Sequence, residues 1–152
     1  MISRNSGNGE HGAISMEPRK VRVPDLALMK ERGERIVMLT AYDATMTRLL
    51  DRAGIDLLLV GDSLGNVILG LDTTVPVTLE EVLHHTRAVT RAARRALVVA
   101  DMPFLTYQIS AEQAMRNAAR LFQEGGSRPA MRKRRGNSCW TRWHLKTPEH
   151  LL

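Results

Sequence analysis

From residue 23 onward, short apolar runs alternate with stretches of helical period. Pro24 opens a helical pattern carried by Leu26, Leu28 and Met29 through Lys30, stopped near Gly33. "RIVMLT" follows as an apolar run with β-branched residues, which predicts a buried strand. Asp43 is placed to cap a helix from Ala44 to about Ala53, and Gly54 suits the left-handed turn after it. "DLLLVGD" predicts a second buried strand running into the turn "GDSLG" from Gly61 to Gly65. After a loop with Pro76, "TLEE" at Thr78 to Glu81 reads as a capping box opening a helix to about Arg95. "ALVVAD" predicts a third buried strand, ending in "DMPF" from Asp101 to Phe104. "SAEQ", from Ser110 to Gln113, is a second capping box. It opens a helix to about Glu124, with Gly125 and Gly126 as its stop.

The order is helix, then β-α-β-α-β-α. Strands this uniformly apolar are expected to be covered on both faces, as in a parallel sheet sheathed by helices, so the fold class is α/β. A fourth strand is due after Gly126. The segment "SRPAMRKRRGNS" has no apolar period of either kind, so none is expected there. "CWTRWHLKTPEHLL" reads at best as a short irregular helix. The chain therefore divides into a flexible leader (1–22), an α/β body (23–126) and a basic tail (127–152).

Charge sharpens that division. Seven of the 22 basic residues and one of the 16 acidic ones lie from Ser127 on, which leaves the body balanced at 15 of each. The net charge of +6 belongs wholly to the tail, so the body carries no signature of a nucleic-acid-binding fold. Both tryptophans and the only cysteine, Cys139, are also in the tail. One cysteine forms no internal disulfide, which fits a reducing compartment. No apolar run is long enough to span a bilayer, and the start "MISRNSGNGEHG" lacks a signal-peptide core. Met16 is an alternative start.

Polar residues mark the C-terminal ends of the strands: Thr40 with Tyr42 and Asp43, Asp62 with Ser63, and Asp101. Parallel α/β folds bind ligands along that edge. Asp62 and Asp101 follow consecutive strands, so their carboxylates can converge on a hard cation, most simply Mg²⁺. Such a cation would polarise a substrate carbonyl. The competing reading is that these aspartates only cap turns. Gly61, Gly65 and Gly70 fit neither the dinucleotide fingerprint nor the P-loop and read as turn glycines. His84 and His85 lack the i, i+4 spacing of a helical zinc pair and read as surface or packing residues. Arg87, Arg91, Arg94 and Arg95 read as a solvated helix face.

The motifs T-A-Y-D at Thr40–Asp43, V-G-D-S-L-G at Val60–Gly65, T-x-P-V-T at Thr74–Thr78 and A-D-M-P-F at Ala100–Phe104 occur in order. With the segments between them, from about Val23 to Gly126, they closely resemble the ketopantoate hydroxymethyltransferase family. The resemblance implies the N-terminal portion of a (β/α)8 TIM barrel of the phosphoenolpyruvate/pyruvate type, cut after about three β/α units. It implies transfer of a hydroxymethyl group from 5,10-methylenetetrahydrofolate, as co-substrate, to 3-methyl-2-oxobutanoate, giving 2-dehydropantoate for pantothenate biosynthesis. It also implies Mg²⁺ as cofactor, with Asp62 and Asp101 as metal-site aspartates and Asp62, Ser63 and Asp101 as keto-acid contacts. Cytoplasmic homo-oligomers are the family's habit, an expectation weakened here by the sheet's open edges.

The family continues into a strand of the type V-K-[LI]-E-G, which brings a lysine and a third metal-site carboxylate. A later strand brings a glutamate base. Lys133 and Glu149 sit in no matching motif, so no catalytic residue is assigned in this chain. The tail reads as the product of a reading-frame shift, and the polypeptide is expected to have negligible activity alone. Two other readings compete. One is a Mg²⁺-dependent keto-acid lyase or mutase of the same superfamily. The other is a non-catalytic fragment whose tail "RKRRGNSCWTRW" binds nucleic acid through arginine and tryptophan.

Overall fold

The computed structural model describes residues 19–130. Most of the leader, the frame-shifted reading of the tail and its proposed nucleic-acid contacts lie outside those residues. The elements are α1 (Val23–Glu31), β1 (Met38–Thr40), α2 (Ala44–Arg52), β2 (Leu57–Val60), α3 (Leu64–Val67), α4 (Leu79–Ala92), β3 (Leu97–Asp101), α5 (Ala111–Gln123) and β4 (Arg128–Ala130). The strands form one parallel sheet in the order β1-β2-β3-β4.

The caps fix where the helices begin. Asp43 Oδ1 accepts the backbone N–H groups of Thr45 and Met46 at 2.7 and 2.8 Å. Thr78 and Glu81 close a full capping box on α4. The box expected on α5 is one-sided. Ser110 Oγ accepts from Gln113 N at 3.1 Å, but Gln113 Oε1 is turned inward, buried and without a partner. After α5, Gly126 takes a left-handed φ of 66°. A Cβ on Gly125 would stand 2.5 Å from the Leu121 carbonyl oxygen, so only glycine fits that turn.

The core lies between sheet and helices. Leu58 and Val60 of β2 and Val98 and Ala100 of β3 point to one face. Val82, Leu83 and Val89 of α4 and Leu121 of α5 cover them. The opposite face is also largely covered, since Leu57 and Val99 are buried. For β2 and β3 the two-faced burial expected of a parallel sheet holds.

Three expectations are corrected. First, β1 is exposed along its length, and Ile36, Val37, Met38 and Leu39 are 39–44% accessible. Among the described residues β1 has only β2 beside it, so an apolar run meant for a covered position stands at an edge. Second, a fourth strand does follow Gly126. Arg128–Ala130 pairs with Val99–Asp101 of β3. A strand of three residues is too short to show a period, and Pro129, which has no N–H, is tolerated at a sheet edge. Third, Arg95 is not a solvated helix residue. Its guanidinium donates to the carbonyls of Gly54 and Ile55 at 2.9 and 3.0 Å and to Asp56 Oδ1 at 2.9 Å. Asp56 is buried, and its other oxygen accepts Val37 N at 3.1 Å. Asp51 completes this knot under the sheet by accepting the backbone N–H groups of Arg94, Arg95 and Ala96.

On the outer surface, Arg120 of α5 ties to α4. It donates to both oxygens of Glu80 at 2.6 and 3.1 Å and, through Nε, to Glu124 at 2.7 Å. Arg87 of α4 joins Glu124 at 2.7 Å. Hydrogen bonds from Arg120 hold the Glu80 and Glu124 carboxyls below their ordinary value of 4.5. The Thr78 backbone N–H, then its hydroxyl, do the same for Glu81. Lowered carboxyls stabilise the fold above their unfolded pKa and lose that contribution as pH falls through the folded values. Thermal stability should therefore decline between roughly pH 5 and pH 3. Because Glu80 and Glu124 are solvent-exposed, the decline should be shallower in 1 M salt than in dilute buffer. An Arg120→Ala variant with an unchanged acid limb would refute this assignment.

Candidate active site

The C-terminal edge of the sheet collects the candidate residues, and the register of β2 and β3 fixes their relation. Val60 is paired with Ala100, so the next positions along the two strands are Gly61 and Asp101. Asp62 lies one residue further. Parallel neighbours run about 4.8 Å apart, so Asp62 and Asp101 stand on adjoining strand ends at the same rim. Asp101 is also in register with Ala130 of β4, which puts it inside the sheet's edge and not at its margin.

The two aspartates after β1 and β2 have different duties. Asp43 is occupied in capping α2. The half-buried carboxylate of Asp62 takes no hydrogen bond and no ion pair among the described residues, although its backbone carbonyl accepts Gly65 N at 2.9 Å. Asp62 is thus a carboxylate at the ligand edge that caps nothing. Asp101 is half-buried as well.

Ser63 stands at the N-cap of α3, a position where serine ordinarily accepts from the following turn. It makes no such bond. Its Oγ lies instead 2.7 Å from the hydroxyl of Tyr42, which is buried at the end of β1. Gly61 gives this turn its room, since a Cβ there would sit 3.1 Å from Ser63 Oγ.

Beneath Tyr42 lies His85 of α4. Its Nδ1 is 2.8 Å from the Tyr42 carbonyl oxygen, and its ring meets the Tyr42 ring edge-on at 6.4 Å. A carbonyl only accepts, so Nδ1 carries the proton. His84 is exposed and packs edge-on against His85 at 5.3 Å. Both histidines are surface or packing residues, as their spacing implied. The Tyr42–Ser63 bond was not legible from the sequence, because it joins residues on two different strand ends.

The donors at this rim are carboxylate and hydroxyl oxygens, which suit a hard divalent cation such as Mg²⁺. Among the described residues no group of three or more His, Cys, Asp or Glu side chains is placed to hold a metal ion. Asp62 and Asp101 are therefore a two-carboxylate set at most. Among the same residues no helix is long and apolar enough to cross a membrane.

Comparison with known proteins agrees with the edge motifs. The sequence profile of the ketopantoate hydroxymethyltransferase family matches residues 20–137, beyond the Gly126 limit read from the motifs. The 3-methyl-2-oxobutanoate hydroxymethyltransferase of Moorella thermoacetica is 60% identical over 108 residues, covering 71% of this chain and 40% of that protein. That of Thermobifida fusca is 59% identical over 109 residues, covering 72% and 39%. The chain thus spans about 40% of the length of the curated relatives it matches. Among solved structures, a phosphoenolpyruvate phosphomutase from Streptomyces platensis subsp. rosaceus superposes with a TM-score of 0.55 at 22% identity, covering 68% of this chain and 35% of that one. That likeness concerns the fold alone: an α/β barrel, of which the described residues supply three β/α units and a fourth strand. With the profile matched over most of its length and its edge motifs in order, the chain belongs to the ketopantoate hydroxymethyltransferase family.

Proposed function

We propose that this chain carries the Mg²⁺- and keto-acid-binding edge of a 3-methyl-2-oxobutanoate hydroxymethyltransferase. The reaction would take its one-carbon unit from 5,10-methylenetetrahydrofolate and serve pantothenate synthesis in the cytoplasm. The observation that carries the proposal is the register of β2 and β3. It supports the reading by pairing Val60 with Ala100, so that Asp62, free of any capping duty, and Asp101 follow directly on adjoining strand ends in a chain of this family. Asp62 and Asp101 would hold Mg²⁺, and Asp62, Ser63 and Asp101 would contact the keto acid. When bound, Mg²⁺ supplies Lewis-acid polarisation of a carbonyl. The chain's own residues do the rest of the work at this edge. The two carboxylates would hold the cation at the edge, and the Ser63 hydroxyl would offer one donor to an anionic substrate.

The lyase and mutase reading is not favoured, because relatives at 56–60% identity are named for hydroxymethyl transfer. A homo-oligomer remains an expectation of the family only, and a membrane or nucleic-acid partner has no support in the described residues.

Calorimetric titration of the purified chain with 3-methyl-2-oxobutanoate tests the proposal. Binding is expected only when Mg²⁺ is present, with pyruvate weaker than the branched acid. Equal binding with and without Mg²⁺, or none in either case, would overturn it.

A further inference from the structure

We propose that Tyr42 is a positioning residue for this site: its phenol O–H donates to Ser63 Oγ and turns Ser63's own proton toward the carboxylate of the bound keto acid. The inference rests on the keto-acid reading of the site and adds a residue and a proton direction to it.

Two observations point to it. Ser63 occupies an N-cap and yet forms no cap bond, so its hydroxyl is committed elsewhere. That commitment is the 2.7 Å contact with Tyr42 across two strand ends. A serine hydroxyl has one proton and two lone pairs. A phenol is the stronger acid of the two, so in a phenol–serine pair the phenol is the natural donor. Ser63 Oγ then accepts, and its single proton is left to point away from Tyr42.

Tyr42 is well placed for the task because it cannot drift. It is buried at 6% accessibility, and its carbonyl is held by His85 Nδ1 at 2.8 Å. The His85 ring lies edge-on against its own ring. His85 anchors the backbone that carries the phenol.

The test is a double-mutant cycle read by calorimetry with Mg²⁺ and 3-methyl-2-oxobutanoate, using the unsubstituted chain, Tyr42→Phe, Ser63→Ala and the double variant. Phenylalanine keeps the ring and removes only the hydroxyl. Loss of one neutral hydrogen bond's worth of orientation should weaken keto-acid binding on the order of threefold to tenfold. In the Ser63→Ala background the Tyr42→Phe change should have no further effect, because no proton remains to be aimed. A general structural role for Tyr42 would weaken binding equally in both backgrounds, and that result overturns the inference while leaving the keto-acid reading standing. So does unchanged binding by Tyr42→Phe. Failure of the unsubstituted chain to bind the keto acid overturns the reading and the inference together. Thermal midpoints of all four proteins identify any variant that has lost its fold. If Tyr42→Phe is such a variant, Tyr42→Leu takes its place in the cycle, and equal loss in both backgrounds or unchanged binding by it rejects the positioning role.

Discussion

Replacing Asp101 by asparagine is expected to weaken Mg²⁺-dependent keto-acid binding by about 100-fold or more, with the sheet intact. Residues that only support metal ligands already cost roughly 10–100-fold when changed, so loss of a proposed ligand's charge belongs at or beyond that upper bound. Asparagine keeps the shape and one carbonyl oxygen but supplies no negative charge to a hard cation. Asp62→Asn should behave alike, and Asp43→Asn should not, because Asp43 caps α2 and lies outside the proposed pair. The measurement is the Kd for 3-methyl-2-oxobutanoate at fixed Mg²⁺, with far-ultraviolet circular dichroism as the control for folding. Equal losses at positions 43, 62 and 101 would show that the edge responds to charge in general and not to a site built on Asp62 and Asp101.

The second large effect is on stability. Asp51→Ala is expected to cost about 3 kcal/mol, since hydrogen bonds to a charged group contribute roughly 1.5–3 kcal/mol each and water replaces part of what is lost, above all at the exposed Arg94 N–H. Asp51 stands in the last turn of α2, where the helix dipole disfavours a negative charge. Its place there is accounted for by the three amides it receives from Arg94, Arg95 and Ala96, at 3.0, 3.1 and 2.7 Å, where the chain turns into β3. Without the carboxylate those N–H groups lose their acceptor at a bend that also carries the Arg95 contacts. Asp51→Asn keeps an acceptor oxygen and should fall about midway. Urea unfolding gives the answer from the shift in midpoint at constant slope. A loss below ~0.5 kcal/mol for the alanine variant would mean that water replaces the carboxylate without cost.

These residues also show what the sequence made legible. Asp43, Thr78 and Ser110 announced their helices because a cap is a local bond between residues two or three apart. The place of Asp62 and Asp101 at the sheet's edge was legible because the ends of apolar runs mark that edge. The misses are tertiary. Arg95 looked like one arginine among several on a helix, and only the turn at Gly54–Asp56, some 40 residues away, gives it partners. The same holds for Tyr42 and Ser63, 21 residues apart. The exposure of β1 was invisible for another reason, since an apolar run reads identically whether or not something covers it. β4 was missed because backbone pairing with β3, not side-chain period, defines a strand of three residues.

The simple order β1-β2-β3-β4 has a consequence for how the chain reaches this structure. Among the described residues each strand after β1 pairs with the one synthesised just before it, so none of these pairings waits for a distant partner. The registers Met38↔Leu57, Leu57↔Leu97 and Val99↔Arg128 close loops of different length, the middle one being the longest. Loop closure is entropically dearer as the loop grows, though only logarithmically. The sheet can therefore assemble in step with translation, β1–β2 first. The closure dearest in loop entropy is β2–β3, the one that brings Asp62 and Asp101 to the same rim, so the proposed cation site is assembled at the costliest closure of the sheet.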